Sequence, residues 1–278
     1  MDRLILPTVT DPKYALAKEA RGRITLGIRV LDARGIACVT AISVGSHAAP
    51  TSTAPRTFLA TDGAEYWVKR KAPSGLLAEL AGGRLAEKLG VGPHVTPVDV
   101  PWEALPRNGS LGEFRGTWFG SQHLVDGLPD RDIMTLLGIP GLDSRLVDER
   151  SRALVIAFQT WINDEDSQVL IDLSTSRVLS IDHGRSFLEL PKGPPSRIVV
   201  TPIAGVPDAY GLGAGAMGWA LDQLEALNEQ DILESVAGCP DGDQWRSLLD
   251  RRVRIAEWLI QRQMALREVM RQWAHRLS

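Results

Sequence analysis

The pair Asp62-Gly63 sets the tightest limit on what this chain can fold into. It stands between two five-residue runs, Arg56–Ala60 (RTFLA) and Glu65–Lys69 (EYWVK). An Asp-Gly turn between alternating apolar runs is a strong short-range signal for an antiparallel hairpin.

Around this hairpin the chain reads as more β-structure with one helix. Ile36–Val44 (IACVTAISV) and Val95–Val100 read as strands, and Thr117–Val125 as a third. Gly45–Pro55 has the small, polar, proline-containing chemistry of a loop. The stretch LLAELAGGRLAEKLGV spaces Leu76, Leu77, Leu80, Leu85 and Leu89 at a helical period. A break is expected at Gly82-Gly83, and Gly90 and Gly92-Pro93 end the helix. Upstream, Ala15–Arg21 reads as a short helix and Ile24–Val30 (ITLGIRV) as a strand. Asp126–Asp132 reads as a polar segment.

Beyond residue 124 helices dominate. Asp148–Trp161 is amphipathic through Leu154, Val155, Phe158 and Trp161. Two short strands follow, Val169–Leu173 and Val178–Ile181, and then a linker-like loop at Pro191–Pro195. Gly215–Glu225 and Asp231–Val236 read as helices, as does the long stretch from Trp245 onward. Its arginine face (Arg251, Arg252, Arg254, Arg262, Arg267, Arg271) is expected to be solvated. The chain is therefore α+β. Residues 1–124 form a first part (1–35 an extension, 36–124 β-rich) and residues 125–278 a helical second part.

Bulk properties exclude several classes. The 278 residues are 44% hydrophobic and 23% charged, enough for a full core. A net charge of −3 gives no reason to expect nucleic-acid binding. No apolar run approaches the roughly 20 residues of a membrane span. Met1–Pro7 lacks the layout of a secretory signal. Cys38 and Cys239 suit a reduced, cytoplasmic chain, and no CxxC or HExxH pattern marks a zinc site. Gly213–Gly218 matches GxGxxG without a surrounding βαβ unit, so no dinucleotide site is expected. His47, His94, His123 and His275 are scattered, with no acid or nucleophile at a telling spacing. His183 is expected to pack or to bond backbone. Ser43 and Ser46 do not form a GxSxG frame.

Four segments, in order, suit phosphoryl transfer, which needs placement and charge neutralisation. Lys69 ends the strand EYWVK and is aimed out of the β layer. Glu79 lies ten residues on, among Leu76, Leu77 and Leu80, where a carboxylate needs a cationic partner. Asp182-His183-Gly184 follows the apolar run VLSI, and a carboxylate there suits Mg²⁺. Before it, WINDEDSQ packs Asn163, Asp164, Glu165 and Asp166 between an apolar helix and an apolar strand.

The run FQTWINDEDSQVLIDLSTSRVLSIDHGRSF resembles the catalytic segment of HipA-like kinases and their phosphatidylinositol-kinase-like relatives. EYWVKRKAPSGLLAELAGGRLAEKLGVGPHVTPVDVP resembles that family's ATP-lysine strand, helix and following strand. The resemblance covers residues 45–190 and implies a two-lobed protein-kinase-like fold, with a β-rich N-lobe and a helical C-lobe. It implies that Lys69 contacts ATP phosphates with Glu79 as its partner, that Asp182 and Gln168 hold Mg²⁺, and that Asp166 is the base. Ser46, Thr51, Ser52 and Thr53 would cover the phosphates, and Gln122, His123 and Leu124 would meet adenine through backbone groups. The family sets its two polar loop groups further apart than Asp166 and Gln168, and counting back by the family's spacing lands on Asn163. The implied activity is that of an ATP- and Mg²⁺-dependent serine/threonine protein kinase with a protein substrate or regulatory partner. The alternatives are a nucleotide-binding module without turnover and a kinase for a small molecule or inositol lipid.

Overall fold

The computed structural model describes residues 18–35, 37–48, 54–124, 127–132, 148–164, 168–172, 174–187, 212–240, 245 and 249–277. Asp166, Thr51, Ser52, Thr53 and Pro191–Pro195 lie outside them. The chain is a mixed α+β structure, with an N-terminal β-sheet followed by helices.

Five strands close into a barrel: β1 (Val39–Ala48), β2 (Arg56–Ala60), β3 (Glu65–Lys69), β4 (Val95–Val100) and β5 (Gly116–Gln122), in the order β1-β2-β3-β5-β4. A parallel pairing of Val39 with Val98 and Thr40 with Asp99 completes the ring. The hairpin expected at Asp62-Gly63 joins β2 to β3, with Phe58 opposite Tyr66. Gly63 takes the left-handed φ of +83° that the turn requires, and Asp62 Oδ1 accepts the Ala64 N–H at 3.0 Å. Phe58, Ala60, Tyr66, Val68, Val98, Val100 and Phe114 fill the interior. Glu65, Trp67 and Lys69 therefore share the outer face.

Helix α1 (Lys18–Asp32) replaces the short helix and strand expected there. Ala20, Ile24 and Ile28 recur every four residues and are buried, while Leu26 and Val30 face out. Burial at a helical period has overridden the strand preference of β-branched residues. The helix packs on α5 (Glu229–Val236) and α6 (Leu249–Leu277). Arg21 pairs with Asp250 at 2.6 Å and Glu257 at 3.1 Å.

Helix α2 (Pro73–Lys88) opens on a proline and runs through Gly82-Gly83 without a break. The two glycines are contact points. A Cβ on Gly82 would stand 2.6 Å from His183 Cβ, and one on Gly83 would stand 2.9 Å from Val95 Cγ1. The segment read as polar around Asp126–Asp132 contains β6 (Gly127–Asp132), which pairs with β7 (Gln168–Asp172); β8 (Arg177–Ser180) completes the sheet β6-β7-β8. Main-chain pairing, not an apolar pattern, makes β6 a strand.

Helix α3 (Glu149–Ile162) is capped by Asp148, which accepts the Ser151 N–H at 2.8 Å, and is buried from Ser151 to Ile162. With α4 (Ala214–Ala226) and α6 it forms the helical core. Two arginines of α6 are not solvated as expected. Arg252 pairs with Asp32 at 2.7 Å, and buried Arg262 donates to Trp161 O at 2.7 Å and Thr160 O at 2.6 Å. The second contact set satisfies carbonyls at the C-terminus of α3. The indole of Trp245 donates to Thr117 O on β5 at 2.8 Å and ties the helical part to the barrel.

Two glycine substitutions should move stability in opposite directions. Gly82→Ala should cost about 1–3 kcal/mol by forcing His183 off α2. Gly22→Ala, which meets nothing within 4 Å on α1, should add about 0.5–1 kcal/mol. Urea unfolding of the two variants reads both signs.

Candidate functional site

Lys69, Glu79 and Asp182 converge, and a fourth residue joins them. Lys69 leaves the barrel on the outer face of β3. Glu79, in the middle of α2, is fully buried. Asp182 follows β8 in a left-handed conformation, φ +58°, which aspartate tolerates better than most residues. Lys71, between β3 and α2, is a residue that sequence reasoning did not single out. Lys69 Nζ lies 3.3 Å from Glu79 Oε1 and 3.2 Å from Asp182 Oδ1. Lys71 Nζ lies 2.6 Å from Glu79 Oε1 and 2.7 Å from Asp182 Oδ1. Two ammoniums thus share two carboxylates, and the cluster is electrically balanced.

The turn at Asp182 also aims the His183 main-chain N–H at Glu79 Oε2, 3.0 Å away. Both oxygens of the buried carboxylate are therefore satisfied, which burying a charge demands. Burial works to lower the Lys71 pKa, but Glu79 and Asp182 together raise it above the ordinary lysine value. Burial works to raise the Asp182 pKa, and the two lysines outweigh it and hold the carboxyl well below the usual carboxylate range. Gly184 has no side chain because a Cβ there would run into the Lys71 ammonium.

His183 does more than pack. Its ring Nδ1 lies 3.0 Å from Asp164 Oδ2, both residues are buried, and Phe158 meets the ring edge-on at 5.5 Å. Asp164 is thus the described acidic residue of WINDEDSQ that joins the site. It holds the ring of His183, the residue after Asp182. Gln168 opens β7, where its carbonyl accepts from Ile181 N at 3.1 Å, one residue before Asp182.

The remaining candidates lie at the strand ends. Arg56 pairs with Val68, so the β1–β2 connection emerges one position from Lys69. Ser46 lies on β1, where its Oγ is 3.1 Å from His47 Nδ1. Gln122, His123 and Leu124 follow at the other end of β3. The N–H groups of Gln122 and His123 donate to His94 O at 2.8 Å and Glu65 O at 2.7 Å, so both are already engaged within the protein. Contrary to the reading of scattered histidines, His47 and His123 come together, with ring centroids 4.6 Å apart, beside Glu65. The outward alternation of Glu65 with Lys69 was the available signal.

No helix of the described residues is long and apolar enough to cross a membrane. No protein-family model matches the chain, and no curated protein matches it. Among solved structures, the chain is similar to the open conformation of CtTel1, at 13% identity and a TM-score of 0.37, over 81% of this chain and 12% of that one. It is similar to the FAT and kinase domain of CtTel1, at 14% identity and a TM-score of 0.35, over 81% of this chain and 22% of that one. It is also similar to the golgi casein kinase, at 11% identity and a TM-score of 0.31, over 89% of this chain and 78% of that one. The likeness is distant, and the chain spans only 12% and 22% of the first two.

Glu79→Gln should strip one charge from the buried cluster and leave two ammoniums facing Asp182 alone. The expected loss is about 3–5 kcal/mol in urea unfolding, the cost of removing one partner from a buried pair. Adding Lys71→Met to that variant should recover part of the loss, so that the two substitutions are not additive.

Proposed function

We propose that the chain binds ATP with Mg²⁺ and transfers the γ-phosphoryl group to a hydroxyl, in its most specific form as a HipA-like serine/threonine kinase. The convergence of Lys69 and Asp182 on buried Glu79 carries this reading. It supplies a cation for phosphates, a carboxylate that fixes the cation, and a second carboxylate beside them.

In this reading Lys69 contacts the α- and β-phosphates, held in place by Glu79. Lys71 gives a second ammonium that exchanges Asp182 for phosphate oxygens. Mg²⁺ suits a site of one or two carboxylates plus phosphate oxygens, and Asp182 with the Gln168 amide would hold it. Its chemistry there would be to neutralise charge on the transferring group. The β1–β2 connection, with Ser46, Thr51, Ser52 and Thr53, would cover the phosphates. Gln122, His123 and Leu124 would lie by the base. Tyr66 pairs with Gln122 and Lys69 with Phe119, so base and phosphates would be separated by three residues, about 10 Å along the strand. Asp166 would orient the acceptor hydroxyl.

A second reading, a nucleotide-binding module without turnover, is favoured by one observation. Asp164 is committed to His183 in the buried layer, which leaves Asp166, only two positions from Gln168, to act as base.

The test is transfer of labelled γ-phosphate with Mg²⁺, run beside calorimetric nucleotide binding. Lys69→Met should weaken ATP binding at least about tenfold, equivalent to 1.4 kcal/mol. Asp182→Ala should abolish label on the acceptor. Asp166→Asn should lower transfer by about 10²–10⁴ with ATP affinity retained. Undiminished transfer in Asp166→Asn would remove that residue from the role of base. Tight binding without transfer in the unmodified chain would select the second reading, and absence of both would refute the first and the second.

A further inference from the structure

We infer that His47, Glu65 and His123 form a binding site for a divalent transition-metal ion of the zinc class. The site is independent of the phosphotransfer reading, which uses main-chain groups near His123 and not its ring.

Three strands deliver the donors. His47 is next to last on β1, Glu65 opens β3, and His123 follows β5 directly across from Glu65, to whose carbonyl its N–H donates at 2.7 Å. One ligand atom from each lies within 4.8 Å of the others. His47 Nδ1 is 3.7 Å from Glu65 Oε1. That oxygen is buried and has no hydrogen-bond partner among the described residues. A buried carboxylate oxygen without a donor costs free energy unless something positive reaches it. Gly45 is part of the arrangement, since a Cβ there would run into both Glu65 Oε1 and Thr57 Oγ1.

The chemistry selects the ion. Two imidazoles and one carboxylate are a donor set of three-ligand zinc sites, which keep a further position open. His47 is half exposed, so that position is reachable by water. Mg²⁺ prefers oxygen donors and is not suited to imidazoles. One cost is visible. The Trp67 indole N–H donates to His123 Nδ1 at 2.9 Å. Ligation through Nδ1 takes that lone pair, and ligation through Nε2 puts a proton on Nδ1 facing the indole N–H. Either way Trp67 must release the ring.

The experiment is calorimetric titration of Zn²⁺ into the full chain without nucleotide and in excess Mg²⁺, with tryptophan emission followed in parallel. One Zn²⁺ per chain should bind at micromolar concentration, undisturbed by Mg²⁺ and with a change in emission. His47→Ala and Glu65→Gln should each weaken binding at least about tenfold. Trp67→Phe should tighten it about fivefold by removing the competing hydrogen bond. His47 lies at the surface, and an unchanged circular dichroism spectrum for zinc-free His47→Ala keeps a loss of binding from being a loss of fold. Absence of binding at micromolar Zn²⁺ would overturn the site, as would equal affinity in His47→Ala/His123→Ala. Unchanged affinity in Trp67→Phe would take His123 out of the ligand set and overturn it too.

Discussion

The buried carboxylate of Glu79 is the constraint on which the rest of the structure depends. A lone charge in such a place costs several kcal/mol, so every group that satisfies it must arrive together. Those groups come from three separate parts of the chain: Lys69 from the end of β3, Lys71 from the β3–α2 connection and the His183 N–H from the turn after β8. Barrel, helix and hairpin are registered to one another at one point. The cluster's charge balance also bears on ligands: an anion bound to the lysines leaves the carboxylates in need of a cation, so phosphate and divalent metal would be coupled by charge alone.

A second layer holds this point from behind. Asp164 fixes the His183 ring, and the ring lies against Gly82 on the same helix that carries Glu79. Asp164 follows Asn163, which ends α3 in a left-handed conformation, φ +51°. Two carbonyls of that last turn, those of Thr160 and Trp161, accept from Arg262 of α6. The position of Asp182 is therefore traceable, contact by contact, to the terminal helix. The arginine that looks like one of a solvated row in the sequence is a structural cap.

What was legible in the sequence follows from local rules. The β2–β3 hairpin, α2, α3 and the β7–β8 pair each carry their own period or turn signal. Lys69, Glu79 and Asp182 stood out because each breaks an apolar pattern. The misses share a physical cause, which is that a distant partner decides the outcome. Ile24–Val30 reads as a strand until α5 and α6 bury one helical stripe of it. Gly82-Gly83 reads as a break until His183 and Val95 are seen to need the space. Lys71 escapes notice because Asp182, one of the two carboxylates it shares with Lys69, comes 111 residues later. The histidine cluster left only the outward alternation of Glu65 as a signal, because strand pairing within the barrel, not spacing along the chain, brings it together.

Barrel closure explains why the chemistry collects where it does. A closed sheet has no edge strands to pair with a partner, and its inward positions are filled by Phe58, Tyr66, Val68 and Val98. Chemically active side chains are left with the outer face and the strand ends. On β3 that face is a single file. Because Tyr66 and Val68 must point inward to fill the core, Glu65, Trp67 and Lys69 must point outward together. Glu65 and Lys69 are then about 13 Å apart along the strand, one beside two histidines and the other beside buried Glu79 and half-buried Asp182. The interior packing of the barrel thereby fixes which two ends of one strand can hold a ligand, and the residues at each end decide what kind.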